Sequence, residues 1–139
     1  MDNIKYKKFS GTDIQSSEIQ DTFTNESNLL IFFFATWCPV CLRAFPTINR
    51  LFKEHINNLK IIGIPIHSGN LNDLEYVKEV NSSDFCILIP EEDSINQFNV
   101  IGYPTYFLIK PDGTLFKKYV GEAEEIYDQL LADLSEIDL

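Results

Sequence analysis

The sequence lacks any long apolar run. Nowhere do about 18 uncharged apolar residues follow one another, which is the length that a membrane-spanning helix needs. The first residues, Met1 to Lys5, also have no apolar core of the kind that a secretory signal peptide requires. We therefore predict a chain without a membrane segment, which is either cytosolic or separated from its targeting segment.

Basic residues are also few. The chain of 139 residues has 11 Lys and Arg against 21 Asp and Glu, which gives a formal net charge of −10. Nucleic acids and anionic membranes select basic patches, so this balance argues against either as a partner. Hydrophobic residues make up 45% of the chain, enough for a proper core, and the acidic surplus is best explained by solubility.

Cysteine and histidine are scarce as well, with three and two residues respectively. Three cysteines are too few for a disulfide framework or for an iron–sulfur cluster. A zinc site needs four ligands, usually in closely spaced pairs, and Cys86, His55 and His67 form no such pair. We predict no metal and no separate cofactor, with a zinc site or an inert structural pair at Cys38 and Cys41 as the open alternatives.

The most informative stretch is an apolar run that leads into two cysteines. Leu29 to Phe34 is short, aromatic and uncharged, as expected of a strand covered on both faces. Trp37 and Cys38 follow, and Pro39 then occupies the first position of a predicted helix, where its missing N–H is tolerated. Apolar residues at mostly three- and four-residue spacing extend this helix to about Ile56.

The spacing of the two cysteines suits redox chemistry. Unpaired backbone N–H groups and the helix dipole stabilise a thiolate at a helix N-terminus, so Cys38 is the predicted nucleophile. Cys41 lies three residues on, on the same side of the helix, where it can attack a mixed disulfide formed by Cys38. The pattern therefore predicts thiol–disulfide exchange.

The rest of the chain predicts a mixed α/β sheet with helices on both faces. Two successive strand–helix units imply parallel strands joined by right-handed crossovers, and Pro111–Thr114 is a strong hairpin turn. Functional sites of such sheets lie where parallel strands end, as Cys38 does. The predicted elements are an N-terminal hairpin of Tyr6–Phe9 and Asp13–Gln15 around Gly11–Thr12, strands Leu29–Thr36, Lys60–Ile66, Phe85–Ile89, Thr105–Lys110 and Leu115–Val120, a break at Asn57–Asn58, a loop at His67–Asn70, and helices at Leu71–Val80 and Glu122–Ser135. A further short helix is predicted to open at Glu91–Ser94, with Ile95 and Phe98 as its apolar contacts.

Two motifs resemble the thioredoxin superfamily. Trp37-Cys38-Pro39-Val40-Cys41 looks like its active-site motif, and Gly102-Tyr103-Pro104-Thr105 looks like its cis-proline loop. Phe45-Pro46, the hairpin sequence Phe107–Thr114 and the inserted helix Leu71–Val80 make the chain most similar to the TlpA/ResA/DsbE-like branch. The Cys-Pro-Val-Cys pair adds a finer likeness to the ScsD-like thioredoxins. The resemblance implies a single thioredoxin-like domain over residues 1–139, with an N-terminal extension at 1–28 and the thioredoxin core at 29–139.

The resemblance also implies roles for the motif residues. Cys38 would be the exposed attacking thiol and Cys41 the buried resolving thiol, and the two would form the redox-active disulfide. Tyr103 and Pro104 would be joined by a cis peptide bond, which would offer the backbone of Tyr103 to an extended substrate. The residues that would surround the cysteines are Trp37, Pro39, Val40, Tyr103 and Pro104.

Two positions depart from the family pattern. Phe32 stands where ordinary thioredoxins carry a buried acid that helps to deprotonate the resolving cysteine, and Ala44 stands where many TlpA-like proteins carry a glutamate. Because desolvation raises the pKa of a thiol, Cys41 is predicted to be hard to deprotonate. A water molecule or another group must then take its proton.

Analogy with the branch favours a protein-disulfide reductase in the periplasm or cell envelope, with its targeting segment or anchor absent from this sequence. Its partners would be protein thiols and disulfides and an upstream electron donor, and the chain would be a monomer. Two other functions stay open, a dithiol oxidase of the DsbA type and a non-catalytic module that binds a metal or a partner. A cytoplasmic location is the alternative to the envelope.

Three further residues have weaker signals. Cys86 lies in an apolar segment and is expected to be a small buried hydrophobic residue, with a regulatory thiol as the alternative. His67 is expected to be a loop residue without a role, with substrate contact as the alternative. Arg43 is expected on a solvated helix face, with stabilisation of a thiolate or binding of an acidic partner as the alternatives.

Overall fold

The computed structural model of the chain describes residues 4–24, 26–55, 59–67, 70–80 and 84–137. The predicted break at Asn57–Asn58 and the loop residues Ser68 and Gly69 lie outside these ranges. The elements in chain order are strands β1 (Ser10–Asp13), β2 (Ile19–Asp21) and β3 (Asn28–Phe34), helix α1 (Pro39–His55), strand β4 (Leu59–Pro65), helix α2 (Leu71–Val80), strand β5 (Cys86–Pro90), a 3-10 turn at Asn96–Phe98, strands β6 (Thr105–Ile109) and β7 (Leu115–Val120), and helix α3 (Ala123–Ile137).

The strands form one seven-stranded sheet in the order β2-β1-β5-β4-β3-β6-β7. Strands β3, β4 and β5 are parallel, as the strand–helix alternation predicts. The C-terminal hairpin adds β6 antiparallel to β3 and β7 antiparallel to β6, while β1 pairs antiparallel with β5. The predicted mixed sheet is therefore confirmed, and its parallel centre places the end of β3 at the middle of one sheet edge.

The central strand β3 is buried along its whole length. Its side chains alternate between the two faces of the sheet because successive residues of a strand point in opposite directions. Phe32 and Phe34 join one core cluster, and Ile31 and Phe33 join the other. This explains why the strand has a continuous apolar sequence rather than an alternating one.

The distribution of helices differs from the prediction. The buried apolar residues of α1, α2 and α3 all belong to the same core cluster, so these helices pack on one face rather than on both. The handedness of the connections explains this, because β3, β4 and β5 follow one another in a single direction and right-handed crossovers then lie on one side. The other face is covered by Tyr6, Phe9, Phe23 and Phe98, from the N-terminal segment and the 3-10 turn. In the described part of the chain, no helix combines the length and apolar character that a bilayer-spanning segment needs.

The N-terminal hairpin exists, but its predicted strands are wrong. Its strands are Ser10–Asp13 and Ile19–Asp21, so Gly11 lies within a strand rather than at the turn. A Cβ at Gly11 would come within 2.9 Å of the Leu88 Cβ, so the close approach of β1 to β5 requires glycine here. The turn lies instead after Asp13, whose carboxylate accepts hydrogen bonds from the backbone N–H groups of Gln15 and Ser16.

Replacing Phe45 with alanine should destabilise the fold strongly. Phe45 is fully buried on α1, and its ring contacts those of Phe32, Phe34 and Phe85 at centroid distances of 5.1 to 5.8 Å. The cavity left by this ring should cost about 3–5 kcal/mol in the free energy of unfolding, measured by urea denaturation. Phe52→Ala, at a partly buried position of the same helix, is the control and should cost less. Equal losses in the two variants would contradict this account of the core.

Candidate active site

Cys38 lies at the junction between the central strand and the helix that follows it. Pro39 is the first residue of α1, as predicted. The Cys38 backbone N–H donates to the Ala35 carbonyl at 3.2 Å, and the Leu42 N–H donates to the Cys38 carbonyl at 3.1 Å, which begins the helical hydrogen-bond pattern. Cys38 is therefore the residue that caps the N-terminus of α1, directly after the carboxyl end of β3.

The sulfur of Cys38 acts as a side-chain cap for this helix. The backbone N–H of Cys41 donates to Cys38 Sγ at 3.3 Å, in the place where an oxygen of a serine or aspartate cap would accept. The positive end of the helix dipole adds to this interaction, and both favour negative charge on the sulfur. Both cysteines are free thiols in this structure.

The two thiols differ in accessibility, although less than expected. Cys41 is fully buried, whereas Cys38 is 7% exposed. The expectation of a freely exposed attacking thiol therefore needs correction, since only a small part of Cys38 faces solvent. A substrate disulfide must consequently be brought down onto this sulfur by a surface that fits around it.

The surroundings of Cys41 are aromatic. Phe32 and Ala44 are both fully buried, and the ring of Phe32 stacks on that of Tyr106 at 5.4 Å and meets Phe45 edge-on at 5.2 Å. Burial raises the pKa of the Cys41 thiol well above its ordinary value, and the hydrogen bond with Cys38 raises it further. The raised pKa of the Cys41 thiol agrees with the prediction from the sequence.

The loop before β6 lies directly beside the nucleophile. The Tyr103–Pro104 peptide bond is cis, and Pro104 is buried. The thiol of Cys38 lies 3.9 Å from the carbonyl oxygen of Tyr103. Residues that are 65 positions apart in the sequence are therefore brought together at one edge of the sheet.

An aromatic rim stands around this contact. Trp37 is 62% exposed, and its indole N–H donates to the carbonyl of His67 at 2.8 Å. The ring of Tyr103 meets those of Trp37 and His67 in edge-on arrangements, at 5.8 and 6.4 Å. His67 thus lies at the rim of the site, which supports the alternative that it contacts substrate. Pro39 is exposed and Val40 is half-buried.

A groove beside the rim was not predicted from the sequence. It has a volume of about 400 Å³ and is lined by no Asp, Glu, Lys or Arg, although the chain as a whole is strongly acidic. Ile101 at its edge is 96% exposed, which is unusual for a large apolar residue. The sequence feature that could have indicated this groove is the apolar pair Val100-Ile101 before the Gly-Tyr-Pro motif. The groove is lined by Ile66, His67, Ile95, Asn96, Asn99, Val100 and Ile101.

Arg43 and Cys86 lie outside this cluster of groups. Arg43 is exposed on α1, but its guanidinium is paired with Glu122 at 2.6 Å rather than only solvated. Cys86 is half-buried, and its thiol donates to the Asp13 carboxylate at 3.4 Å. Cys86 is in register with Ile62, in the middle of β4, and therefore lies away from the sheet edge that carries Cys38. Cys86 was expected to be a small buried hydrophobic residue, but it is only half-buried and has a polar partner.

Comparison with known proteins identifies the family. A model of a thioredoxin-like family matches residues 26–115, which include both cysteines and the Tyr103–Pro104 loop. The chain belongs to the thioredoxin-like family. The relatives of this thioredoxin-like chain include proteins named DsbE, ResA and YneN, so the expected TlpA/ResA/DsbE-like branch is confirmed. The finer likeness to the ScsD-like proteins stays a prediction.

Three relatives show how far the similarity extends. The thioredoxin-like protein YneN of Bacillus subtilis is 27% identical over 121 residues, covering 86% of this chain and 68% of that protein. The thiol:disulfide interchange protein DsbE of Haemophilus influenzae is 27% identical over 124 residues, covering 78% and 67%. The thiol-disulfide oxidoreductase ResA of Bacillus cereus is 24% identical over 115 residues, covering 82% and 66%. The thioredoxin-like chain thus spans about two thirds of the length of these relatives.

Solved structures confirm the fold of the thioredoxin-like chain. The thioredoxin domain of a thiol-disulfide oxidoreductase from Bacteroides vulgatus superposes with a TM-score of 0.82 at 15% identity, covering 96% of this chain and 99% of that one. A thiol:disulfide interchange protein from Chlorobium tepidum gives 0.81 at 19% identity, covering 96% and 98%. At such identities the likeness establishes the fold alone.

Proposed function

We propose that the chain is a thiol–disulfide oxidoreductase that reduces protein disulfides through Cys38 and Cys41. The observation that carries this proposal is the Cys38 sulfur, which caps α1 by accepting the Cys41 N–H and lies 3.9 Å from the carbonyl oxygen of Tyr103. A reactive sulfur and a backbone edge that can receive substrate thus adjoin each other. The relatives named as thiol:disulfide interchange proteins and thiol-disulfide oxidoreductases support the same chemistry.

The proposed reaction transfers two electrons to the substrate in two exchanges. The Cys38 thiolate attacks a substrate disulfide, a Cys38–substrate disulfide forms, and the first substrate sulfur leaves as a thiolate that takes a proton from water. Cys41 then loses its proton and attacks Cys38, which forms the Cys38–Cys41 disulfide and releases the second substrate thiol. The pair is oxidised as the substrate is reduced, so an upstream dithiol donor must reduce Cys38–Cys41 again.

The surface around the site favours a polypeptide as substrate. Trp37 and Ile101 are large and exposed, and the groove that Ile101 lines has no Asp, Glu, Lys or Arg in its lining. An extended chain can pair with the backbone of Tyr103 while an apolar side chain enters the groove. Because Cys38 is only 7% exposed, such a fit would be needed to place the substrate disulfide against its sulfur.

The direction of the reaction depends on how strongly the reduced form is stabilised. A strong oxidant such as DsbA stabilises its reduced form. Analogy with the TlpA/ResA/DsbE-like branch supports a reductase rather than a DsbA-type oxidase. The branch to which the chain belongs supports a place in the cell envelope, by analogy alone.

Replacing Cys41 with serine should trap the substrate on Cys38. The first exchange needs only Cys38, and without Cys41 the mixed disulfide cannot be resolved from within the chain. Incubation with insulin should give a covalent adduct on a non-reducing gel that dithiothreitol removes. The variant without both Cys38 and Cys41 is the matched control and should give none. An adduct that persists in this control would show that another thiol reacts.

The reduction potential of the wild-type protein tests the proposed direction. The reduction potential, measured against a glutathione buffer, should lie near that of thioredoxin, about −270 mV. A value near that of DsbA, about −120 mV, would show that the protein is an oxidase rather than a reductase. Zinc or copper bound stoichiometrically to the reduced protein, without turnover of insulin, would instead favour a non-catalytic metal-carrying module.

A further inference from the structure

The short turn between β7 and α3 contacts three elements of the site at once. We call residues Gly121 and Glu122 the β7–α3 turn. The Gly121 N–H donates to the carbonyl of Pro104 at 3.3 Å, and the Gly121 carbonyl accepts from the hydroxyl of Tyr106 at 3.0 Å. The Glu122 carboxylate accepts from Arg43, two residues after Cys41 on α1. The turn therefore joins the cis-proline loop, strand β6 and the helix that carries the cysteines.

The backbone of the turn is fixed by its glycine. Gly121 has a φ of +108°, in the region that residues with a side chain rarely adopt. A Cβ at this position would meet no atom within 4 Å, so the glycine is required by backbone conformation and not by space. In this conformation the N–H and the carbonyl of one residue bind Pro104 and the fully buried Tyr106.

The outer end of the turn is held by the ion pair. Nε and Nη2 of Arg43 both lie close to one carboxylate oxygen of Glu122, at 3.1 and 2.6 Å. The carbonyl of Glu122 accepts the backbone N–H groups of Glu125 and Ile126, which open α3. Movement of Glu122 would therefore displace both the start of α3 and the neighbouring Gly121, whose N–H donates to the Pro104 carbonyl.

A second Arg–Glu pair, between α1 and α3, provides a comparison. Arg50 on α1 and Glu124 on α3 lie 3.7 Å apart. Arg50 is two turns further along α1 than Arg43, away from Cys38, and Glu124 accepts a hydrogen bond from the hydroxyl of Thr47 on α1. The two pairs share residue types and an arginine on α1, but of these two pairs the Arg43–Glu122 pair is the one that adjoins the turn that binds Pro104.

We propose that Arg43 and Glu122 are positioning residues that hold the Tyr103–Pro104 loop in place against Cys38 and thereby set the affinity for polypeptide disulfides. The proposal rests on the function proposed above. A polypeptide that pairs with the backbone of Tyr103 needs this backbone at a fixed distance from Cys38 Sγ. A small disulfide makes no such pairing and reaches the sulfur regardless of the loop. Arg43 and Glu122 should therefore matter for recognition rather than for the exchange of sulfurs.

The test compares two substrates in Arg43→Met and Glu122→Gln. With insulin, each variant should raise KM about two- to fivefold and leave kcat unchanged, since an exposed ion pair is a weak interaction. With dithiobis(nitrobenzoate), both variants should react at the wild-type rate. The exchanged variant R43E/E122R should restore the KM for insulin because it rebuilds the pair with the charges reversed. Arg50→Met and Glu124→Gln are the matched controls and should leave both substrates unaffected.

Three results would overturn the proposal. Equal losses with insulin and with the small disulfide would show that the pair acts on the cysteines themselves. Failure of R43E/E122R to restore KM would mean that Arg43 or Glu122 contacts the substrate directly. Equal effects in Arg50→Met and Glu124→Gln would show that the change in KM comes from a general loss of stability. Urea denaturation of each variant measures that stability. The proposed function fails by a different result, which is insulin reduction that survives the loss of Cys38.

Discussion

Replacing Cys38 with serine should abolish the reduction of insulin, with a fall in rate of at least about a thousandfold. A serine hydroxyl cannot form a disulfide, so neither exchange of the proposed reaction can begin. The structure adds a reason why Cys41 cannot substitute, because Cys41 is fully buried and Cys38 is the one of the pair that has exposed surface. The rate is measured as the precipitation of insulin chains in the presence of dithiothreitol.

The matched control for this experiment is Cys86→Ser. Cys86 donates its thiol hydrogen to Asp13, and a serine hydroxyl can do the same. Because Cys86 lies in register with the middle of β4 rather than at the carboxyl edge, this variant should reduce insulin at the wild-type rate. Full activity of Cys38→Ser, or loss of activity in Cys86→Ser, would contradict the assignment of the site.

The centre of the fold and of the site could be predicted because their signals are local. An aromatic run, a proline at the first helical position and two cysteines three residues apart all act within one stretch, from Leu29 to Cys41. Pairing of this strand with its neighbours then follows from the alternation of strands and helices. The sequence accordingly predicts the position of the two cysteines, the start of α1 and the parallel centre of the sheet.

The parts that were missed depend on distant contacts. Gly11 suggests a turn when it is considered alone, and only the approach of Leu88 shows why a strand needs glycine there. The partners Arg43 and Glu122 are 79 residues apart, and no local pattern relates them. The groove beside the aromatic rim is likewise lined by residues from the end of β4 and from the segment before Tyr103. Each of these features is created by the packing of elements rather than by any one of them.

The resolving step presents the main chemical difficulty of this site. Cys41 must lose a proton before it can attack the mixed disulfide, yet burial raises its pKa well above the ordinary value. Ordinary thioredoxins and many TlpA-like proteins, which this chain resembles, carry an acid at the position of Phe32 or of Ala44. Here both residues are buried and apolar, so neither can act as a base. Below this raised pKa, only a small fraction of Cys41 is thiolate, and this fraction grows tenfold with each pH unit. Resolution should therefore be slow at neutral pH and limited by deprotonation of Cys41.

The rate of resolution should consequently rise about tenfold per pH unit from about pH 6 to pH 9, without a plateau. Loading Cys38 with nitrothiobenzoate allows the release of this coloured thiol to be followed by stopped flow, and its own thiol is ionised throughout the range. A plateau near neutral pH would show that a base we have not identified serves Cys41.

A glutamate at position 44 should change this profile. Ala44→Glu places a carboxylate three residues after Cys41 on the same helix, where it can accept the proton and make the rate near pH 7 faster and less dependent on pH. Ala44→Gln has the same size without the charge, so the difference between the two variants isolates the carboxylate from the strain of filling a buried position. If both variants resolve the mixed disulfide with the wild-type profile, Cys41 does not depend on a base at this position, and the absence of an acid is not what limits the enzyme. A faster rate in Ala44→Glu alone would identify the missing carboxylate as the cause.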